Sequence, residues 1–272
     1  SLEVAMDNIA CGLDPKKTTF FIQSKIPEIA ELTVLFLNLV TLARLRRNPT
    51  VKSEMKQKGF GEDVPAGFLS YPISQTADIV FCGGNVIPVG EDQLPVLEQA
   101  NEIVDKFNSI YGETFSRIEP ILSKASRLVG IDGNAKASKS LGNAIYVSDS
   151  YEEIKRKVMA MYTDPEHIHV KDPGKVEGNV VFTYLDIFDT DKVEVENLKQ
   201  QYRKGGLGDV VIKNRLIEVL ENIIKPIRER RAELEKNPEK IMAILKEGTD
   251  RVRTVAKQSM DKVNKAVRID YF

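Results

Sequence analysis

The sequence predicts an α/β fold in which a parallel-sheet domain is followed by an all-α domain. Three observations carry this. Up to Gly112, β-branched and apolar runs alternate with helical spacing, the rhythm of a parallel sheet flanked by helices. Past Ser148 no strand run of comparable strength remains, and apolar residues recur with the period of amphipathic helices. Between the two lies a glycine-rich stretch, GIDGNAKASKSLGNAIYVSDS, from Gly130 to Ser150. The division therefore falls into residues 1–148 and 149–272.

The elements follow in order. TTFFIQS (Thr18 to Ser24), entered through GLDP, is β-branched and aromatic and predicts a buried strand. After Pro27, Ile29, Leu32, Phe36, Leu39, Val40 and Ala43 share one helical face, and Asn48-Pro49 stops that helix. GFLSYPISQTADIVFC predicts a buried helix, and Asn85 to Gly90 a short buried strand. EDQLPVLEQANEIVDKFNSIYG then predicts a helix ended by Gly112. In the second domain, Ser150 with Glu153 three residues on is a capping box opening a helix. Ile212, Leu216, Val219, Leu220, Ile223, Ile224 and Ile227 mark an amphipathic helix, and a last long helix runs from about Pro238 to Val267.

Composition excludes several classes. Lys and Arg number 39 against 40 Asp and Glu, so a net charge of −1 argues against a polybasic nucleic-acid coat while allowing a local basic face. The longest apolar candidate, LTVLFLNLVTLARL, falls short of the roughly 18 residues that span a membrane. The N-terminal residues carry no positive region of a signal peptide. Cys11 and Cys82 match no disulfide or zinc spacing and are expected as buried small hydrophobes in a reducing cytoplasm.

Four stretches could carry chemistry. In the glycine-rich stretch Lys136 and Lys139 offer point charges and Ser138 and Ser140 hydroxyls, a set able to clamp a triphosphate; a solvated linker is the plain alternative. Asp78 is an acid in an otherwise apolar helix, costly to bury without a donor. Tyr71, two turns earlier, and Gln75 can share its face, which suits an amphipathic aromatic ligand bearing an N–H; helix capping or an arginine partner would equally account for Asp78. Gly90 ends a strand where open sheets bind ligands, so Asp92 could hold a ribose and Gln93 an amino-acid group, or Asp92 could simply cap the helix. RERRAELEKNPEK is foremost a solvated helix face and secondarily a contact for RNA backbone. KGGLGDV reads as a turn between helices, and His167 and His169 lack partners at metal-binding spacing, so no metal-ligating residue is assigned.

Taken together, GLDPKKTTFFIQS, GFLSYPISQTADI, VIPVGEDQLP and AKASKSLGNAIYVSD resemble the bacterial tryptophanyl-tRNA synthetases of class I, in order and spacing, over essentially the whole chain. KASKS resembles the KMSKS signature with Ala137 in place of Met. The resemblance implies an incomplete Rossmann-like catalytic domain followed by a helical tRNA anticodon-binding domain. It implies a ligase that activates tryptophan with ATP and Mg²⁺ and transfers it to tRNA, acting as a cytoplasmic homodimer with its interface near the helix after Pro27. Asp78 would accept the indole N–H, and Tyr71 and Gln93 would hold the ammonium or the ring. Ile79, Ile87 and Val89 would line the indole pocket, with Gln75 where many members have Met. Gly90 and Asp92 would meet the ribose, and Lys136, Ser138 and Lys139, with Ser140 beside them, the pyrophosphate.

One departure stands out. The family's HIGH-type signature is not found, since neither His167 nor His169 is followed by Gly-His. A segment on the order of 70 residues, including the first strand, is expected to be missing, and the chain alone is expected not to activate tryptophan at a normal rate. Two alternatives follow: a tyrosyl-tRNA synthetase, or a non-catalytic synthetase-derived RNA-binding protein.

Overall fold

The computed structural model describes residues 2–123, 128–133, 137–138 and 141–271. Lys136, Lys139 and Ser140 lie outside them. The described chain is mostly helical and has one short parallel sheet. It forms two compact units, each discontinuous in sequence: Ser1–Asp14 with Arg127–Ile241, and Pro15–Ser126 with Met242–Phe272.

In the unit containing the sheet, the helix expected from Pro27 to its stop at Asn48-Pro49 is two helices, α2 (Pro27–Leu37) and α3 (Leu42–Arg47), and α4 (Pro49–Gln57) follows that stop, counting Leu2–Ala10 as α1. Local chemistry makes the breaks. The Thr41 hydroxyl accepts from the Arg44 N–H and starts α3. The Asn48 side chain accepts from the Thr50 N–H, and Pro49 at the first helical position starts α4. The periodicity of one helix is thus shared by two, because Leu32, Phe36 and Leu45 face one core. As expected, α5 (Ala66–Val80) follows, then β1 (Val86–Val89), then α6 (Leu94–Tyr111) ending at Gly112.

Two expectations fail here. Thr18 to Ser24 is not a strand: it is extended and closes in a 3-10 turn at Gln23–Lys25. A strand needs a ladder partner, and this segment is instead pinned by its Ile22 N–H to the Thr249 hydroxyl at 3.0 Å. Its neighbour is α11 (Pro238–Val267), where a Cβ on Gly248 would lie 1.9 Å from the Phe20 carbonyl oxygen, so only glycine allows the approach. The partner of β1 is β2 (Glu119–Leu122), in parallel register with Val86 opposite Glu119 and Val89 opposite Leu122. Glu119-Pro120 disguised it in the sequence. Nor is β1 buried: it alternates exposed and half-buried, with Ile87 and Val89 on the covered side. The core beneath joins α2, α5, α6 and α11, and Phe36, Phe107 and Phe115 meet edge to face with centroids 5.0–6.0 Å apart.

The other unit is helical: α1, α7 (Tyr151–Met159), α8 (Val180–Phe188), α9 (Lys192–Lys204) and α10 (Asp209–Glu235). KGGLGDV is the turn joining α9 to α10. Ile154, Val158, Tyr184, Leu185, Ile212 and Leu216 form its core. The predicted capping box is present, with the Glu153 carboxylate accepting the Ser150 N–H at 2.8 Å. The charged run is largely solvated, as expected, with Glu229, Arg230, Glu233, Glu235 and Lys236 exposed, but three of its arginines also hold neighbouring segments. Arg231 is paired with Glu3, Asp7 and Glu235, Arg230 donates to the Ala10 carbonyl at 2.7 Å, and Arg228 donates to the Asp149 carbonyl at 2.8 Å. These arginines brace α1 and the segment before α7. Both cysteines, expected buried, are exposed, since each sits in the turn that follows a helix. Among the described residues no helix is long and apolar enough to cross a membrane.

Candidate active site

The first group of candidate residues stands on α5, β1 and the turn after it. Tyr71, Gln75 and Asp78 are spaced four and three apart, so they share one helical face. All three are half-buried, whereas Pro72, Ile73, Thr76 and Ala77 are buried, so that face is the open one. Tyr71, Ile87 and Val89 pack against the core cluster that contains Ile79. Four of the residues expected to hold tryptophan are therefore in one apolar neighbourhood.

The partner of Asp78 is neither an arginine nor a helix end. Gln23 Nε2 donates to both carboxylate oxygens, at 2.6 and 2.7 Å. Burial pushes the Asp78 pKa up, and the Gln23 amide partly offsets it by favouring the charged form. An amide has two N–H groups and a carboxylate about four lone-pair positions, so Asp78 keeps acceptor capacity for a further donor. Sequence reasoning missed Gln23, since its role arises only where a distant turn meets α5. The Tyr71 hydroxyl is buried beside the Glu54 carboxylate. Burial, then the negative charge of Glu54, pushes its pKa up.

The turn after β1 is held from α4. The Thr50 hydroxyl donates to the Asp92 carbonyl at 2.6 Å, and the buried Asn48 amide donates to the Pro95 carbonyl and to Gln99 Oε1 at 2.9 and 2.7 Å. Gly90 is extended, and its carbonyl accepts the Gln93 N–H at 3.0 Å. Gln93 Nε2 donates to Asp92 Oδ2 at 3.0 Å. Asp92 does not cap α6: it lies inside the 3-10 turn Glu91–Gln93, and the N-cap position is Gln93, with no side-chain cap. Asn48 and Thr50 are site-supporting residues whose only signal in the sequence was a helix stop.

The second group flanks the lysine–serine loop. The Ala137 N–H donates to the Leu128 carbonyl at 3.0 Å, and the Ser138 N–H to Asn143 Oδ1 at 2.8 Å. The Tyr184 hydroxyl, its pKa pushed up to about 12 by burial, donates to the Val129 carbonyl at 2.8 Å. On the far side, Asp149 accepts from Lys157 Nζ at 2.5 Å with both side chains buried, and Lys157 stands 4.2 Å from the centre of the Tyr146 ring.

The chain is similar to known proteins along nearly all its length. A family model described as tRNA synthetases class I (W and Y) matches residues 2–225. A tryptophan–tRNA ligase of Streptococcus pyogenes is 52% identical over 99% of this chain and 81% of its own. One of Clostridium longisporum is 53% identical over 100% and 80%. Among solved structures, a tryptophanyl-tRNA synthetase of Campylobacter jejuni complexed with ADP and tryptophan superposes with a TM-score of 0.80 at 30% identity, covering 98% of this chain and 82% of that one.

Proposed function

The chain belongs to the class I tRNA synthetases of the tryptophan and tyrosine group, and from this premise we propose how its residues carry the reaction. It is a tryptophan–tRNA ligase; the observation that carries this is 52% identity to the streptococcal ligase over 99% of the chain. The tyrosyl and non-catalytic alternatives are not favoured, since the curated relatives are tryptophan ligases. The carboxylate of tryptophan attacks the α-phosphorus of ATP, pyrophosphate leaves, and a terminal hydroxyl of the tRNA then displaces AMP from the adenylate.

Each candidate has a role in that scheme. Asp78, held by Gln23, accepts the indole N–H. The buried Tyr71 hydroxyl and Gln93 receive the ammonium. Ile79, Ile87 and Val89 line the indole, with Gln75 beside it on α5. Gly90 and Asp92 meet the ribose. Lys136, Ser138, Lys139 and Ser140 stabilise the departing pyrophosphate, chiefly by positioned charge. Mg²⁺, when bound with ATP, would offset the charge of the triphosphate. Residues 1–148 carry this chemistry and 149–272 meet the tRNA. We place the ligase in the cytoplasm, which two free, exposed cysteines suit, and assign it a homodimer through α2 and α3. Val34, Leu37 and Leu42 there are 61%, 42% and 69% exposed, an apolar face that a second copy would cover.

The chain contains no tryptophan, so the ligand's own fluorescence reports its binding. Added tryptophan should shift its emission to the blue on binding, and tyrosine should not displace it. Asp78→Ala should weaken binding about 10–100-fold, the loss of a charge-assisted hydrogen bond. Unchanged affinity in that variant, or equal competition by tyrosine, would overturn the assignment.

A further inference from the structure

We propose that Asn143 is the positioning residue of the lysine–serine loop, an inference that rests on the loop's assignment to pyrophosphate. Its carboxamide is almost fully buried, with 5% of the residue exposed. Nδ2 donates to both carboxylate oxygens of Asp132, at 3.2 and 3.3 Å. That contact fixes the amide's sense, because only the NH₂ end can face a carboxylate. Oδ1 is thereby turned to the Ser138 N–H, which it accepts at 2.8 Å. The Asn143 backbone carbonyl meanwhile accepts the Ile131 N–H at 2.9 Å. One residue therefore joins the turn before the loop to the loop itself.

The consequence for the lysines comes from chain connectivity. Ala137 is tied to the Leu128 carbonyl and Ser138 to Asn143, so a dipeptide is held at two points. Lys136 and Lys139 are the residues on either side of it. Ser138 is itself assigned to pyrophosphate, and a group acts on a leaving group only when placed. The fold guards this joint. A Cβ at Gly130 would lie 2.1 Å from Asn143 Nδ2 and 2.7 Å from Asp132 Oδ1, so glycine is needed for the turn to close on the amide. Ser138 and the lysines act on phosphate; Asn143 acts through them.

The test is calorimetric titration of the chain with inorganic pyrophosphate, beside tryptophan fluorescence titration and a thermal melt of each variant. Asn143→Ala and Lys136→Ala should each weaken pyrophosphate binding about tenfold, the worth of one positioned hydrogen bond or charge, with tryptophan affinity unchanged. The exchange Asp132→Asn with Asn143→Asp should restore binding. There the new carboxylate accepts from Ser138 and from the new amide, so the same joint is rebuilt with its charge moved. A merely structural role would show as a lowered melt and weaker binding of both ligands, and that result would overturn the proposal. So would pyrophosphate binding unaffected by Asn143→Ala while Lys136→Ala weakens it, or a folded exchange variant that stays weak. If Asn143→Ala does not fold, the exchange variant alone decides. No pyrophosphate binding by the unaltered chain, or no effect of Lys136→Ala, would instead overturn the loop assignment on which the inference stands.

Discussion

Asp78 shows how one carboxylate serves binding at the expense of stability. It sits near the end of an apolar helix, half-covered, with its pKa raised by burial. A raised acid pKa means the folded chain prefers the neutral form. The associated stability is complete below the ordinary carboxylate value and is lost as pH rises through the folded value. At neutral pH Asp78 is therefore ionised at a cost, which Gln23 reduces. Asp78→Asn should raise the thermal midpoint at pH 7, with the gain shrinking to nothing as pH falls through the carboxylate range, while tryptophan binding weakens. Melts across pH check this, and a lower midpoint at neutral pH would refute it. The acid itself was legible because apolar helices seldom carry one. Its partner was not, because Gln23 and Asp78 are joined by a contact between distant segments. The same holds for Asn143, whose side chain gains meaning only when Asp132 and Ser138 surround it.

At the scale of elements, short-range chemistry read true and pairing did not. The capping box at Ser150 and Glu153 is local, and α7 begins where that spacing predicts. The Ser150 backbone and side-chain hydrogen bonds hold the Glu153 pKa down, so this stability is present above the ordinary glutamate value and fades as pH falls through the depressed one. Ser150→Ala should cost about 1 kcal/mol, read as a lower urea midpoint with an unchanged slope; an unchanged midpoint would show that the box contributes nothing net. The Thr18 to Ser24 run has strand chemistry but no ladder, and packs on α11 instead. β2 has a ladder with little strand chemistry. A helix keeps its hydrogen bonds inside one segment, whereas a strand borrows them from another, so propensity predicts the first better than the second.

For the whole molecule, the exposed apolar residues of α2 and α3 carry the homodimer assignment. Sedimentation equilibrium should give twice the chain mass, and Val34→Asp with Leu42→Asp should give the single mass without loss of helix. A single mass for the unaltered chain, or a dimer that survives both changes, would refute the interface. The arginine brace of α10 belongs to this scale too. The run is largely solvated as read, but its ion pairs were hidden because the partners Glu3 and Asp7 lie at the opposite end of the chain.

By itself the sequence determined the family and the capping box that opens α7, and it supplied the residues proposed to meet tryptophan and phosphate. These rest on side-chain type and on spacings of a few residues, which chain geometry enforces. Tertiary structure alone decided that one helix is two, that β1 pairs with β2, that Gln23 holds Asp78, and that Asn143 holds the flank of the loop. Each of these is a contact between segments far apart in the chain. Such contacts depend on distances that no local pattern encodes.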